Sequence, residues 1–256
     1  MTGASGGFHP LRALRAWLGV SGAPRGLNQL DLKGINTAYV AGVKAQMPHE
    51  QAMEYAIGSN FESVGRIEAA LVRHYGLTPG GYLIDVGCGS GRLAKPLSPY
   101  LTGRYLGTDL VPDLIEHAKH ICQRPGWRFE VIDHIGIPER DGAADMVCFF
   151  SVLTHLLHEQ SYWYLEEARR VLKPGGRIVF SFLELVDPVH WKVFLDTVAA
   201  SKARLSIPLN VFLDRAAIAL WAEKLGMVVE DIRAGADAVV AEGSLGQALC
   251  VLRKAP

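Results

Sequence analysis

The chain of 256 residues balances 26 lysines and arginines against 26 aspartates and glutamates, and 49% of it is apolar. That is enough for one large domain with a sizeable core, and zero net charge supplies no field for a polyanion, so a nucleic acid is not expected as a partner. Cys88, Cys122, Cys148 and Cys250 form no CxxC pair, which argues against a disulfide framework or a zinc site and favours a reducing, cytoplasmic compartment. No apolar run reaches the roughly 20 residues of a membrane span, no signal-peptide core follows the start, and no metal site is expected.

In chain order, residues 1–50 read as a partly flexible N-terminal arm or cap. They carry Arg12, Arg15 and Arg25 with no acid before Asp31, and FHPLRALRAWLGV places Phe8, Leu11, Leu14 and Leu18 at helical spacing. Residues 51–256 read as the main domain. Its first segment, HEQAMEYAIGSNFESVGRIEAALVRHYGL, has helix-like spacing through Ile67, Ala70 and Leu71 before Gly76. From Tyr82 short apolar runs alternate with amphipathic ones: YLIDV, RYLGTDL, WRFEVID, DMVCFF and GRIVFSFL read as strands, with VPDLIEHAKHI and SYWYLEEARRVL as helices between them. Lys173, Pro174 and Gly175 are expected to stop the second of these helices. WKVFLDTVAASKA and DRAAIALWAEKLG read as two more helices, and GMVVEDIRAG and GQALCVLRK as a closing antiparallel pair of strands. The expected fold is therefore α/β, doubly wound, with a mostly parallel seven-stranded sheet, an antiparallel last strand and an N-terminal helical cap.

Open parallel sheets bind ligands at the carboxyl ends of their strands, so the strand ends carry the functional reading. After Asp85 comes Gly87-Cys88-Gly89-Ser90-Gly91, a turn that lets a ligand approach the backbone and that exposes amides at the next helix start. A dinucleotide fingerprint requires glycine where Arg92 stands, and no P-loop GK[ST] follows. Asp109 closes the second strand, and its two acceptor oxygens suit the two hydroxyls of a ribose. Asp133 closes the third, placed to accept from an exocyclic amine, with His134 beside the ring. Pro96 falls beyond the first turn of the following helix, so that helix is expected to start late, near Leu93, or to kink.

These pieces, LIDVGCGSGRLAKPL, YLGTDLVPDLIEHAK, VIDHIGIPERDGAADMVCFFSVLTHL and EEARRVLKPGGRIVFSF, resemble in this order the class I S-adenosylmethionine-dependent methyltransferases. The resemblance covers roughly residues 60 to 185. It implies that Asp85, Gly87, Gly89 and Gly91, with Cys88 and Arg92 in the same turn, hold the methionine end of S-adenosylmethionine and pack under its ribose. Asp109, with Leu110 beside it, would take the ribose hydroxyls, Asp133 the adenine amine, and Phe150 and Ser151 would line the sulfonium end; the product would be S-adenosylhomocysteine.

Methyl transfer from a sulfonium is an in-line displacement, so the protein chiefly aligns two reactants and excludes water. A hydroxyl acceptor needs a base, for which His155, Glu184 and His190 are the candidates. Tyr55, Phe61 and Trp191 are expected to line the acceptor pocket, whereas Tyr162, Trp163 and Tyr164 read as core. The favoured acceptor is an oxygen of a small polar metabolite or sugar-containing molecule. The alternatives are N-methylation, an aminopropyltransferase-like enzyme on the same fold, and a non-catalytic module that binds S-adenosylmethionine.

Overall fold

The computed structural model describes residues 32–58, 60–205 and 209–256. The amphipathic stretch from Phe8 to Leu18 lies outside the described residues. Lys33–Pro256 form one compact unit. Residues 33–50, read from sequence as part of the arm, belong instead to two short helices, α1 (Leu32–Lys44) and α2 (His49–Ala56). Val40, Val43, Ala52 and Met53 of these helices bury their side chains with Val111 and Leu114, which gives the cap its own small core.

The elements then follow as α3 (Phe61–His74), β1 (Tyr82–Val86), α4 (Ala94–Leu97), β2 (Arg104–Asp109), α5 (Pro112–Cys122), β3 (Arg128–Val131) and β4 (Ala144–Phe149). After β4 come a 3₁₀ turn (Leu153–His155), α6 (His158–Val171), β5 (Leu172–Phe182), α7 (Pro188–Lys202), α8 (Arg215–Lys224), β6 (Met227–Arg233) and β7 (Ala248–Lys254). The sheet runs β3-β2-β1-β4-β5-β7-β6, with β7 antiparallel to both its neighbours and the remaining pairs parallel. This is the doubly wound, seven-stranded sheet the alternating pattern predicts. Its order reverses between β1 and β4, which puts the ligand crevice over the carboxyl ends of those two strands.

Two local departures have simple causes. The helix expected to stop at Lys173-Pro174-Gly175 ends at Val171, and β5 begins at once through those residues, absorbing Gly175 at φ 76° and a register shift opposite Ala144 and Met146. Helix α4 is a single turn, because Pro96 has no N–H to donate to the Arg92 carbonyl. Gly65 of α3 closes on that same oxygen, and a Cβ there would lie 2.3 Å from it. Among the described residues no helix is long and apolar enough to cross a membrane.

Candidate active site

The turn after β1 is left-handed at Gly87, Gly89 and Gly91, with φ of 73°, 54° and 94°. These are conformations that cost a side chain energy, and space is short as well. A Cβ on Gly87 would lie 2.4 Å from Val152 Cγ2, and one on Gly89 2.8 Å from Ile57 Cγ2. The turn is thus closed from two sides, by the end of α2 and by the segment after β4. Gly87 and Cys88 both donate to the Thr108 carbonyl, at 2.7 and 3.0 Å, which ties the turn to β2.

Asp109 stands at the end of β2, as expected, and completes that tie. Its Oδ2 accepts from the Gly89 amide at 3.0 Å and its Oδ1 from the Val111 amide at 2.9 Å. Burial raises the pKa of this carboxyl, and the Val111, Gly89 and Leu110 amides oppose the rise. Each oxygen keeps a second lone pair, so the pair of oxygens still presents two acceptors to a vicinal diol. Leu110 follows half-buried against the cap core.

Two residues of the expected cofactor set serve the turn from within. Arg92 donates from Nε and Nη2 to Glu68 at 3.2 and 2.6 Å, and from Nη1 to the Ile57 carbonyl at 3.0 Å. Its guanidinium is therefore spent on holding α3 and α2 against the turn, with Ser90 Oγ donating to the Met53 carbonyl at 2.9 Å alongside. Asp85 is 2% exposed and turned into the core. Tyr105 Oη donates to it at 2.7 Å and Cys148 Sγ at 3.4 Å. Burial, with the Glu68 charge adding to it, pushes this carboxyl up to about 7. The side chains of Asp85 and Arg92, both expected at the cofactor, are thus engaged with protein partners beneath the turn. Cys88 is buried too, with its thiol pushed up by burial.

Asp133 and His134 lie past the end of β3 on the surface, with side chains 67% and 73% exposed. Asp133 pairs with His134 at 3.3 Å and with Lys33 of α1 at 3.7 Å, and these partners hold its carboxyl below the usual range. Its partner Lys33 places it beside the cap. Phe150 is buried in the main core. Ser151 follows it in a left-handed conformation, φ 59°. Its amide donates to Ser181 Oγ at 2.8 Å, and both serine hydroxyls donate to Gln247 Oε1, at 2.6 Å from Ser181 and 3.3 Å from Ser151. Ser181 and Gln247 escaped the sequence reading, since nothing local marks a serine in β5 or a glutamine before β7.

The three candidate bases differ sharply in what they have left to give. Glu184 accepts a fork from Arg215, 2.7 Å to each oxygen, so both its oxygens are already engaged in an ion pair. His190 is 1% exposed. Its Nδ1 accepts the Glu184 amide at 3.1 Å, so Nε2 carries the proton and donates to the Gly246 carbonyl at 3.0 Å. Both nitrogens are committed, which makes His190 a pin between α7 and the loop before β7. His155 is exposed, and its Nδ1 lies 2.6 Å from the Leu209 carbonyl. A carbonyl only accepts, so Nδ1 carries the proton and Nε2 keeps its lone pair, with no partner among the described residues.

Of the expected pocket residues, Tyr55 and Trp191 are exposed by 56% and 45%, Trp191 stacked on Phe194, whereas Phe61 is buried at the start of α3. The aromatic run on α6 splits: Tyr164 packs edge-on against Phe149, Tyr162 sits against Trp221, and Trp163 is 52% exposed, so it is not core.

Comparison with known proteins agrees with this architecture. A family profile described as "Methyltransferase domain" matches residues 84–180. The chain is 34% identical over 102 residues to a malonyl-[acyl-carrier protein] O-methyltransferase of Hahella chejuensis, covering 40% of this chain and 36% of that protein. It is 32% identical over 102 residues to a probable tRNA methyltransferase 9B of Mus musculus, covering 40% of this chain and 21% of that one. The chain thus spans about a third or less of the length of these curated relatives. In fold it is similar to the crystal structure of an S-adenosylmethionine-dependent methyltransferase, a possible histamine N-methyltransferase, from Thermotoga maritima. The TM-score is 0.58 at 15% identity, covering 88% of this chain and 100% of that one. With the glycine turn, the Asp109 clasp and the reversal of strand order between β1 and β4 all inside the matched region or at its edge, residues 84–180 carry a methyltransferase domain with the fold of the S-adenosylmethionine-dependent methyltransferases.

Proposed function

We propose that this chain binds S-adenosylmethionine across Gly87–Gly91 and Asp109 and transfers its methyl group in line to an oxygen of a small polar metabolite, with His155 as the base. When bound, the sulfonium supplies an activated methyl group. The chain's own part is to hold the ribose with Asp109, to keep water out with Ile57 and Val152, and to take a proton at His155 Nε2. The observation that carries the choice of oxygen is the fixed tautomer of His155, whose free nitrogen is the group a hydroxyl acceptor requires and a neutral amine does not. Zero net charge supports a small acceptor over the tRNA in the name of one relative.

Incubation with methyl-labelled S-adenosylmethionine and fractionated acceptor pools tests this reading. Label is expected in a hydroxyl-bearing small molecule, and His155→Ala is expected to lower turnover at saturating cofactor by about 10²- to 10⁴-fold. Label in tRNA or an amine, or an unimpaired His155→Ala variant, would overturn it.

A further inference from the structure

Four non-glycine residues among those described have positive φ, and three of them, Asn60, Gln123 and Arg204, sit at or just past helix ends. Ser151 alone stands at a strand end, where a left-handed serine is held only if its surroundings over-determine it. The holding group is Gln247. Ser181 Oγ takes the Ser151 amide and passes its own proton to Gln247 Oε1, and the Ser151 hydroxyl ends on the same oxygen. Oε1 has two lone pairs, and both are taken.

The backbone around Gln247 is pinned as well. Gly246 donates its amide to the Gly235 carbonyl at 3.0 Å and accepts from His190 Nε2 at 3.0 Å, and β7 starts at Ala248, paired with Phe182 of β5. The side-chain amide is thus fixed in place and orientation. Its Nε2 has no partner among the described residues, and Gln247 is only half-buried, so two donors on a rigid mount are left for a ligand. The mount lies beyond the end of β4 on the β5–β7 side, away from β2 and Asp109. A cofactor whose ribose is on Asp109 and whose sulfonium reaches Ser151 presents its methyl group toward this side.

We infer that Gln247 faces the methyl-transfer point, where its Nε2 donates to an oxygen of the methyl acceptor adjoining the reacting atom and its Oε1 keeps Ser151 in place. This inference rests on the proposed methyltransferase reading. The acceptor it selects carries a carbonyl, carboxylate or hydroxyl oxygen next to the methylated position. Gln247 is a substrate-orienting residue and not the base.

The test exploits the one charge by which S-adenosylmethionine exceeds S-adenosylhomocysteine. Gln247→Glu and Gln247→Lys place opposite charges at this point, and the affinities of both ligands are measured by calorimetry for each variant and for the wild type. The ratio of the two affinities is expected to move toward S-adenosylmethionine in Gln247→Glu and toward S-adenosylhomocysteine in Gln247→Lys, by roughly threefold or more each way. A merely structural glutamine would weaken both ligands alike and leave the ratio unmoved, and that result overturns the inference. Should one variant fail to fold, the sign of the shift in the other decides. A wild type that binds neither ligand overturns the methyltransferase reading itself, which separates the two failures.

Discussion

At Asp85 a carboxyl is held where its ionised form is costly, since its partners are one phenol, one thiol and the nearby Glu68 charge. In the folded chain it titrates near 7, raised chiefly by burial, against about 3.9 in an unfolded chain. Between those values the native state binds the extra proton, so the contribution of Asp85 to stability is fully present below about pH 4 and is lost as pH rises through 7. Burial raises Glu68 and Asp109 in the same direction, so they add to the slope. Asp85→Asn keeps the size and a hydrogen-bonding oxygen while removing the ionisation. Thermal melts from pH 5 to 8 are expected to show the wild type losing stability steadily and the variant losing clearly less. An identical slope in both would mean that Asp85 does not titrate in this window.

At the level of elements, α3 is what fixes the glycine turn. Glu68 and Arg92 form a pair whose side chains are 2% and 12% exposed, and removing one partner of such a pair strands a buried charge. Arg92→Met is expected to cost about 3–5 kcal/mol in urea unfolding. Adding Glu68→Leu is expected to restore most of that loss; a double variant as weak as the single one would show that the ion pair is not the reason. Gly65 is the other half of this contact. Because the obstacle to a methyl group there is the Arg92 carbonyl and not a flexible side chain, Gly65→Ala is expected to lose about 1–3 kcal/mol despite alanine's better helix propensity. A neutral or stabilised Gly65→Ala would contradict the close approach of α3 to the turn.

Across the whole molecule, the sheet was legible because its central strands β1, β2, β4 and β5 are largely buried apolar runs. The place of Asp109 was legible for the same reason, since a strand end three residues before a helix start at Pro112 leaves little freedom in where its carboxylate goes. What escaped were partnerships made only in three dimensions. Ser181 and Gln247 lie 66 residues apart, and Glu184 and Arg215 lie 31 apart, so no local pattern announces either pair. His190 and Glu184 carry the residue types of a base, yet both His190 nitrogens are bonded and Glu184 is paired with Arg215. Asp133 and His134 follow the end of β3 at Val131 and stand on the surface, where the Lys33 partner of Asp133 comes from a helix about 100 residues earlier that no local pattern connects to it.

The central claim is that the turn of Gly87–Gly91 and the carboxylate of Asp109 form one binding site for a nucleoside with a methionine tail. Calorimetric titration of S-adenosylhomocysteine into the wild type and into Asp109→Ala tests it most directly. Micromolar binding by the wild type is predicted, weakened at least about tenfold, about 1.4 kcal/mol, in the variant. An absence of binding to the wild type, or equal affinity in the two proteins, would contradict it.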